Sequence, residues 1–290
     1  MNNFRIFTDS SCDLPAELAT ELELTVINLS LVAEGKTYVN YLDGREIGFH
    51  EYYEMLRNGL QAKTTAANVD SFEGPFEEAL KEGDDVLYLG FSSGLSGTYN
   101  AGRLVAEELS AKYPDRKIYA VDTLCASLGQ GLLVYLAANL KKEGKTIEEI
   151  RDWVEANKHS MSHLFTVDDL HHLHRGGRVS KTTAIVGSVL GMKPLMHADE
   201  NGCLSKTGVA RGRKASIEAL FKRMKETAID PENQVIFISH GDCIDDANYL
   251  ADKIRSELKV KDIVINFIGP VIGTHSGPGT LALFFLASER

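Results

Sequence analysis

A run rich in glycine and hydroxyls, Ser92-Ser93-Gly94-Leu95-Ser96-Gly97-Thr98, follows an apolar segment and opens a helix-like one. Its glycines permit close backbone approach. The free N–H groups and positive dipole end of a following helix suit a small anion. Ser93 and Ser96 would add hydroxyl donors. No Gly-Lys-Ser/Thr is present, so this is not a nucleotide P-loop, and Gly94 to Thr98 lacks the final glycine of a nucleophile elbow. An ordinary strand-to-helix turn has the same composition. A second run, Thr274-His275-Ser276-Gly277-Pro278-Gly279, places His275 in a Gly/Pro-rich loop, where it either meets a ligand or serves structure. A third, Asp168 to Ser180, holds His171, His172, His174, Arg175, Gly176, Gly177 and Arg178; its histidine spacing fits no common metal motif. Arg175, Arg178 and Lys181 form one basic patch and Arg211, Arg213 and Lys214 another, suited to anion or partner contact or to a solvated face. Lys63-Thr64-Thr65-Ala66 supplies two more hydroxyls that carry no message alone.

Regular elements must position these segments. Phe4 to Thr8 reads as a strand running into Asp9, Ser10 and Ser11, and Asp13 as a helix N-cap with Pro15 in the first turn. Leu24 to Val32 reads as a second strand and Glu46 to Arg57 as a helix. Val86 to Gly90 is a buried-type strand, after which Ala101, Leu104, Val105 and Leu109 mark one helix face. Ile118 to Val121 repeats the pattern, through Asp122 to Ser127, into an apolar helix from Leu128. Such alternation predicts a mostly parallel sheet covered on both faces, with ligands beyond the carboxyl ends of its strands. Thr146 with Glu149 fits a capping box ahead of Ile147, Ile150 and Val154. Beyond it lie a strand at Leu164 to Val167, a hairpin at Leu195 to Val209 around a type I′ Asn201-Gly202 turn, and helices at Ile217 to Met224 and Ala247 to Leu258. Strands follow from Val235 to Ser239, Ile263 to Ile268 and Leu281 to Leu286. The expected architecture is two-lobed: an α/β lobe over 1–160 carrying the anion-binding loops, and an α+β lobe over 161–290, with the 273–279 loop returning to the lobe interface.

A chain of 290 residues, 43% hydrophobic, can bury cores of this size, and a formal net charge of −10 argues against a duplex-binding surface. No nucleic-acid partner is expected. Cys12, Cys125, Cys203 and Cys243 form no CxxC and no zinc-spaced His/Cys pair, and they read as reduced thiols. Met1 to Ser10 has no apolar leader core, and the longest apolar run, Leu281 to Ala287, is too short to span a bilayer. The expectation is a cytoplasmic protein with no integral membrane segment.

In chain order, several segments together resemble the DegV family: Thr8-Asp9-Ser10-Ser11-Cys12-Asp13-Leu14-Pro15, the SSGLSGT loop, Asp122-Thr123 and the Gly129-Gln130-Gly131 helix start. The resemblance continues through Gly176-Gly177-Arg178-Val179-Ser180, Lys193-Pro194, Arg211-Gly212-Arg213-Lys214 and Gly273 to Gly279. It implies two α/β lobes with a long-chain fatty acid buried in a tunnel between them. Similar members are fatty-acid-binding subunits of a bacterial fatty acid kinase. They present the carboxylate to a separate ATP-using kinase subunit, which makes an acyl phosphate for phospholipid synthesis. The family's carboxylate ligands, a Thr, a Ser and a His, map onto Thr64, Ser93 and His275. Ser96 shares the same loop. An Arg of the GGR motif, here Arg178, works with the kinase, and Arg175 lies beside it. Where the family reads Thr-Ser-Gln-Pro, this chain has Thr64-Thr65-Ala66-Ala67, which leaves the choice between Thr64 and Thr65 open.

The chemistry implied is coherent. A sixteen-carbon chain has about fourteen methylenes, and at about 0.8 kcal/mol each its burial supplies roughly 11 kcal/mol of gross driving force. The head group then needs only a few directed donors. Hydroxyls and an imidazole leave the carboxylate reachable, whereas a bidentate Arg would hold it back. Arg178 is accordingly expected at the surface near the tunnel mouth. This reading has no cofactor, no metal and no turnover by the subunit itself. Three rivals stand beside it: a phosphotransferase or phosphocarrier using a loop histidine, a serine hydrolase pairing Ser93 or Ser96 with His275, and a pure interaction module.

Overall fold

The computed structural model describes residues 3–180 and 191–290. In chain order the strands and helices are β1 (Phe4–Asp9), α1 (Ala16–Glu21), β2 (Thr25–Ile27), β3 (Ser30–Ala33), β4 (Lys36–Val39), α2 (Phe49–Arg57), β5 (Lys63–Thr65) and α3 (Val69–Glu82). Next come β6 (Asp85–Gly90), α4 (Thr98–Lys112), β7 (Ile118–Asp122), α5 (Leu128–Lys142), α6 (Ile147–Asn157), β8 (Met161–Thr166), α7 (His171–Arg175), β9 (Met192–Ala198) and β10 (Leu204–Arg211). The chain closes with α8 (Arg213–Thr227), β11 (Val235–His240), α9 (Ile244–Leu258), β12 (Asp262–Phe267), α10 (Pro270–Ser276) and β13 (Leu281–Leu286).

Among the described residues three sheets result. One is four-stranded and wholly parallel, ordered β2-β1-β6-β7; one is six-stranded and mixed, ordered β10-β9-β8-β13-β11-β12; a small antiparallel sheet is ordered β4-β3-β5. The α/β class with a parallel-sheet lobe and a mixed-sheet lobe is therefore as the sequence predicts. The small sheet is an addition. The stretch read as one strand, Leu24 to Val32, divides between β2 and β3, which belong to different sheets.

Side chains alternate across the strands, as a period of two requires. Leu87 and Leu89 of β6 face one core while Val86 and Tyr88 face another; Ala282 and Phe284 of β13 turn to the first core while Leu281, Leu283 and Phe285 turn to a third. Helices α3 and α4 cover the outer face of the parallel sheet, and α8 and α9 the outer face of the mixed one. Helix α5 lies in the shared core between the two sheets, touching β6 on one side and β8, β11 and β13 on the other.

The Gly129-Gln130-Gly131 start explains how α5 fits there. A Cβ on Gly129 would lie 2.1 Å from His163 Nε2, and one on Gly131 2.7 Å from the Cys12 carbonyl oxygen. Gln130, fully buried, donates to Thr8 Oγ1 at 3.0 Å. The predicted capping box of α6 is present: the Glu149 N–H donates to Thr146 Oγ1 at 3.2 Å and the Thr146 N–H to the Glu149 carboxylate at 2.8 Å.

Other local expectations change. Asp13 is not an N-cap; Pro15 precedes α1, and Asp13 is buried with a left-handed φ of 51°. Its carboxylate accepts from Ser127 Oγ at 2.6 Å, and burial pushes its pKa up to about 8. The Asn201-Gly202 hairpin exists, but Leu204 pairs with Ala198, so its loop is Asp199–Cys203 and not a two-residue turn. The Asp199 carboxylate organises it, accepting from the N–H groups of Asn201 and Cys203 at 2.9 and 3.0 Å. His275 stands in the last turn of α10, and the loop begins only at Gly277, φ 81°. All four cysteines are free thiols, and no helix of the described residues is long and apolar enough to cross a membrane.

Candidate functional site

Between the two larger sheets lies a cavity of about 240 Å³. Most of its wall is apolar. Phe165 of β8 and Ala282 and Phe284 of β13 form one side, Leu29 and Phe91 come from the parallel-sheet half, and Val271 and Ile272 come from α10. Polar side chains enter from a few places, among them Thr64, Ser96, Arg178 and His275.

Thr64 reaches the cavity because β5 is a strand. It pairs with Leu31 of β3, whose side chain is buried, while Lys63 and Thr65 on either side are exposed. Thr65 does not line the cavity. The Thr64 hydroxyl lies 2.8 Å from His275 Nε2. Helix α10, which carries His275, is tied down by α2: Tyr52 Oη and Thr274 Oγ1 share a hydrogen bond of 2.6 Å, and Tyr53 Oη donates to the Ile268 carbonyl at 2.8 Å. Burial, helped by the neighbouring Arg178 charge, pushes the His275 pKa down to about 4, so the imidazole is neutral near pH 7.

The SSGLSGT loop contributes one hydroxyl of the expected two. Ser96 lines the cavity and accepts from the Thr98 N–H at 3.2 Å. Ser93 is exposed, is not part of the lining, and turns its N–H toward Asp122. Ser92 locks the loop to the β9–β10 hairpin, donating to the Gly202 carbonyl at 2.8 Å. A Cβ at Gly202, whose φ is +70°, would meet Ser92 Oγ at 2.2 Å, so glycine alone fits this junction.

Arg178 is half-buried and lines the cavity; it is not a free surface group at its mouth. Its Nε and Nη2 donate to the Leu95 carbonyl at 3.2 and 3.0 Å, and Nη1 donates to the Gly176 carbonyl. Arg178 thus ties the GGR turn to the SSGLSGT loop. Arg175 is exposed and donates to His172 Nδ1 at 2.9 Å. Lys181, counted with them in the basic patch, lies outside the described residues. The other patch is partly neutralised, since Arg213 bonds Asp246 at 2.7 Å.

His171, His172 and His174 do not converge. Among the described residues the grouping close enough to share an ion is His50, Glu54 and Asp242, and there Arg57 already bonds the Asp242 carboxylate. Among the described residues no triad forms around His275. Its Nε2 faces Thr64, and its Nδ1 has no hydrogen-bond partner among the described residues, so none of their carboxylates orients the ring as a serine hydrolase requires.

Some lining groups escape sequence reasoning. His163 is buried in β8, with its pKa pushed down to about 3 by burial. Its Nδ1–H donates to the Met161 carbonyl at 3.0 Å, and its Nε2 accepts from the Ala126 N–H at 3.3 Å. A histidine inside an apolar strand, Met161-Ser162-His163-Leu164-Phe165, is the signal that could have marked it. Ser127 and Ser239, 3.1 Å apart, also border the cavity, and Ser127 leads to the buried Asp13.

The DegV family model matches residues 3–288. A DegV domain-containing protein of Clostridium perfringens is 47% identical over 290 residues, covering 100% of this chain and 99% of its own. A solved DegV family protein from Thermus thermophilus, described by its fatty acid binding, superposes with a TM-score of 0.89 at 30% identity, covering 99% of this chain and 100% of that one. The fatty-acid-binding DegV of Bacillus subtilis superposes with a TM-score of 0.85 at 27% identity, again covering 99% and 100%. The chain belongs to the DegV family.

Proposed function

We propose that this protein binds a long-chain fatty acid in the cavity between its two larger sheets and presents the carboxylate to a separate kinase subunit in the cytoplasm. One observation carries the reading: a mostly apolar cavity contains a Thr64–His275 hydrogen-bonded pair contributed by residues 211 positions apart. The fatty acids described for the Thermus thermophilus and Bacillus subtilis relatives support it.

In this reading the acyl chain replaces the empty volume against Phe165, Ala282 and Phe284, and the carboxylate is met by Thr64, His275 and Ser96. Neither Ser93 nor Thr65 fits that role, because their side chains stand outside the lining. A neutral His275 holds the carboxylate by hydrogen bonding, without forming an ion pair that would blunt its nucleophilicity. In acyl phosphate formation a carboxylate oxygen attacks the γ-phosphorus of ATP held by the kinase subunit, and ADP leaves. The binding subunit contributes only position. Exposed Arg175 serves partner contact. Arg178 reaches the transferred phosphoryl group only by exchanging its carbonyl bonds for phosphate oxygens.

Mass spectrometry of the purified protein tests this reading. Denaturation is expected to release about one equivalent of long-chain fatty acid, with the polypeptide at its unmodified mass. Lipid-free protein carrying a phosphate adduct that disappears with His275→Ala would establish the phosphocarrier instead.

A further inference from the structure

We propose that Gly176 is a positioning residue: its bare Cα packs over the Nδ1 edge of His275 and fixes the imidazole as the Nε2–H tautomer, a hydrogen-bond donor aimed at Thr64 and the ligand carboxylate. The inference rests on the carboxylate reading above and adds to it how the imidazole is made a donor.

The geometry is tight. A Cβ built on Gly176 would lie 2.0 Å from His275 Nδ1 and 3.0 Å from both Cε1 and Cγ, well inside any real carbon contact. Gly176 cannot withdraw easily. Its N–H donates to the His172 carbonyl at 3.0 Å, closing the end of α7, and its own carbonyl accepts from Arg178, which is anchored on Leu95. His275 cannot withdraw easily either, because Tyr52 and Tyr53 hold α10. The neighbouring Gly177 differs: its φ is +73° and a Cβ there meets nothing within 4 Å.

Covering Nδ1 has a chemical consequence. That nitrogen is buried and, among the described residues, without a hydrogen-bond partner. A neutral imidazole carries one N–H, and a buried N–H left without an acceptor is costlier and rarer than an unused lone pair. The proton therefore resides on Nε2, where Thr64 Oγ1 accepts it at 2.8 Å. Thr64 then keeps its own O–H free. A carboxylate oxygen arriving there takes the Nε2–H in place of Thr64 Oγ1 and meets the threonine O–H as a second donor. The opposite tautomer would bury an orphan N–H under Gly176 and point a lone pair at an anion. His163 is the internal contrast, because its Nδ1 donates to Met161 and its Nε2 accepts from Ala126, which fixes it as Nδ1–H.

Long-range proton–nitrogen correlation spectra of protein labelled with 15N-histidine read both tautomers in the wild type. The expected result is Nε2–H for His275 and Nδ1–H for His163. An Nδ1–H signature for His275 overturns the proposal, whatever any variant does. Gly176→Ala is expected to lower fatty acid retention at least tenfold, to have no further effect when added to His275→Ala, and to leave retention unchanged when replaced by the control Gly177→Asn. Retention losses for Gly176→Ala that add to those of His275→Ala would refute action through the imidazole. If Gly176→Ala does not fold, the wild-type tautomer decides. Absence of lipid from wild-type protein would sink the carboxylate reading, while the tautomer measurement addresses Gly176 independently.

Discussion

Replacing Thr64 with Val and His275 with Ala together is expected to weaken fatty acid binding by about 10² to 10⁴-fold. Each hydrogen bond to a charged group contributes roughly 1.5 to 3 kcal/mol, and each 1.4 kcal/mol is about a factor of ten in affinity. Val matches Thr in shape, so the first substitution removes a donor and leaves the β5 pairing with Leu31 intact. The apolar wall of Phe165, Ala282 and Phe284 is untouched, so residual affinity should scale with acyl-chain length. Thr65→Val, at an exposed neighbouring position, should bind as the wild type does. Titration with fatty acids of several lengths checks each point. Equal losses for Thr64→Val and Thr65→Val would show that β5 does not deliver its middle residue to the ligand.

The lipid-free protein should be most stable near pH 6.5 and lose stability on both sides. Burial pushes the pKa values of His163, His240 and His275 down to about 3, 4 and 4. The unfolded chain accepts protons on these rings near 6.5, while the folded chain refuses them. Their contribution is therefore fully present above 6.5 and is lost as pH falls from there toward 4. Buried Asp13 has the opposite sign. Its folded pKa is raised to about 8, so its contribution is fully present below the ordinary carboxylate value and is lost as pH rises through 8. Asp9, raised by burial as well, acts in the same sense. Between 4 and 6.5 three imidazoles take up protons on unfolding and Asp13 releases one, so stability rises with pH across this window, and Asp9 lessens the rise. Above 6.5 only the carboxylates remain, and stability declines toward pH 8. Urea midpoints from pH 4.5 to 8.5 check the shape. A midpoint that climbs steadily to pH 8.5 would mean that Asp13 is ionised in the folded protein.

Much of the scaffold is readable in the residues because it rests on local periodicity. The apolar strands β6, β7, β11 and β13, the α6 capping box and the hairpin beyond Ala198 follow from alternation and capping chemistry. The site residues are less legible, because what places them is tertiary. Thr64 and Thr65 look equivalent until β5, only three residues long, assigns them opposite faces. Ser93 and Ser96 sit in one irregular loop with no period to separate them. His275 reads as a loop residue because glycines and Pro278 crowd it, yet Pro270 opens a short helix that packs on α2 and ends just after it. Asp13 resembles a cap in its local sequence but is drawn inward by Ser127, more than a hundred residues away. Arg178 reads as a free basic group until its donors are found on the Leu95 and Gly176 carbonyls.

The most direct test of the central claim is a crystal structure of the protein grown with a saturated sixteen-carbon fatty acid. The carboxylate is expected within about 3 Å of Thr64 Oγ1 and His275 Nε2, with the chain running between Phe165 and Phe284. A chain bound with its carboxylate away from His275, or a cavity that stays empty at saturating lipid while Thr64 and His275 keep their mutual bond, would contradict it.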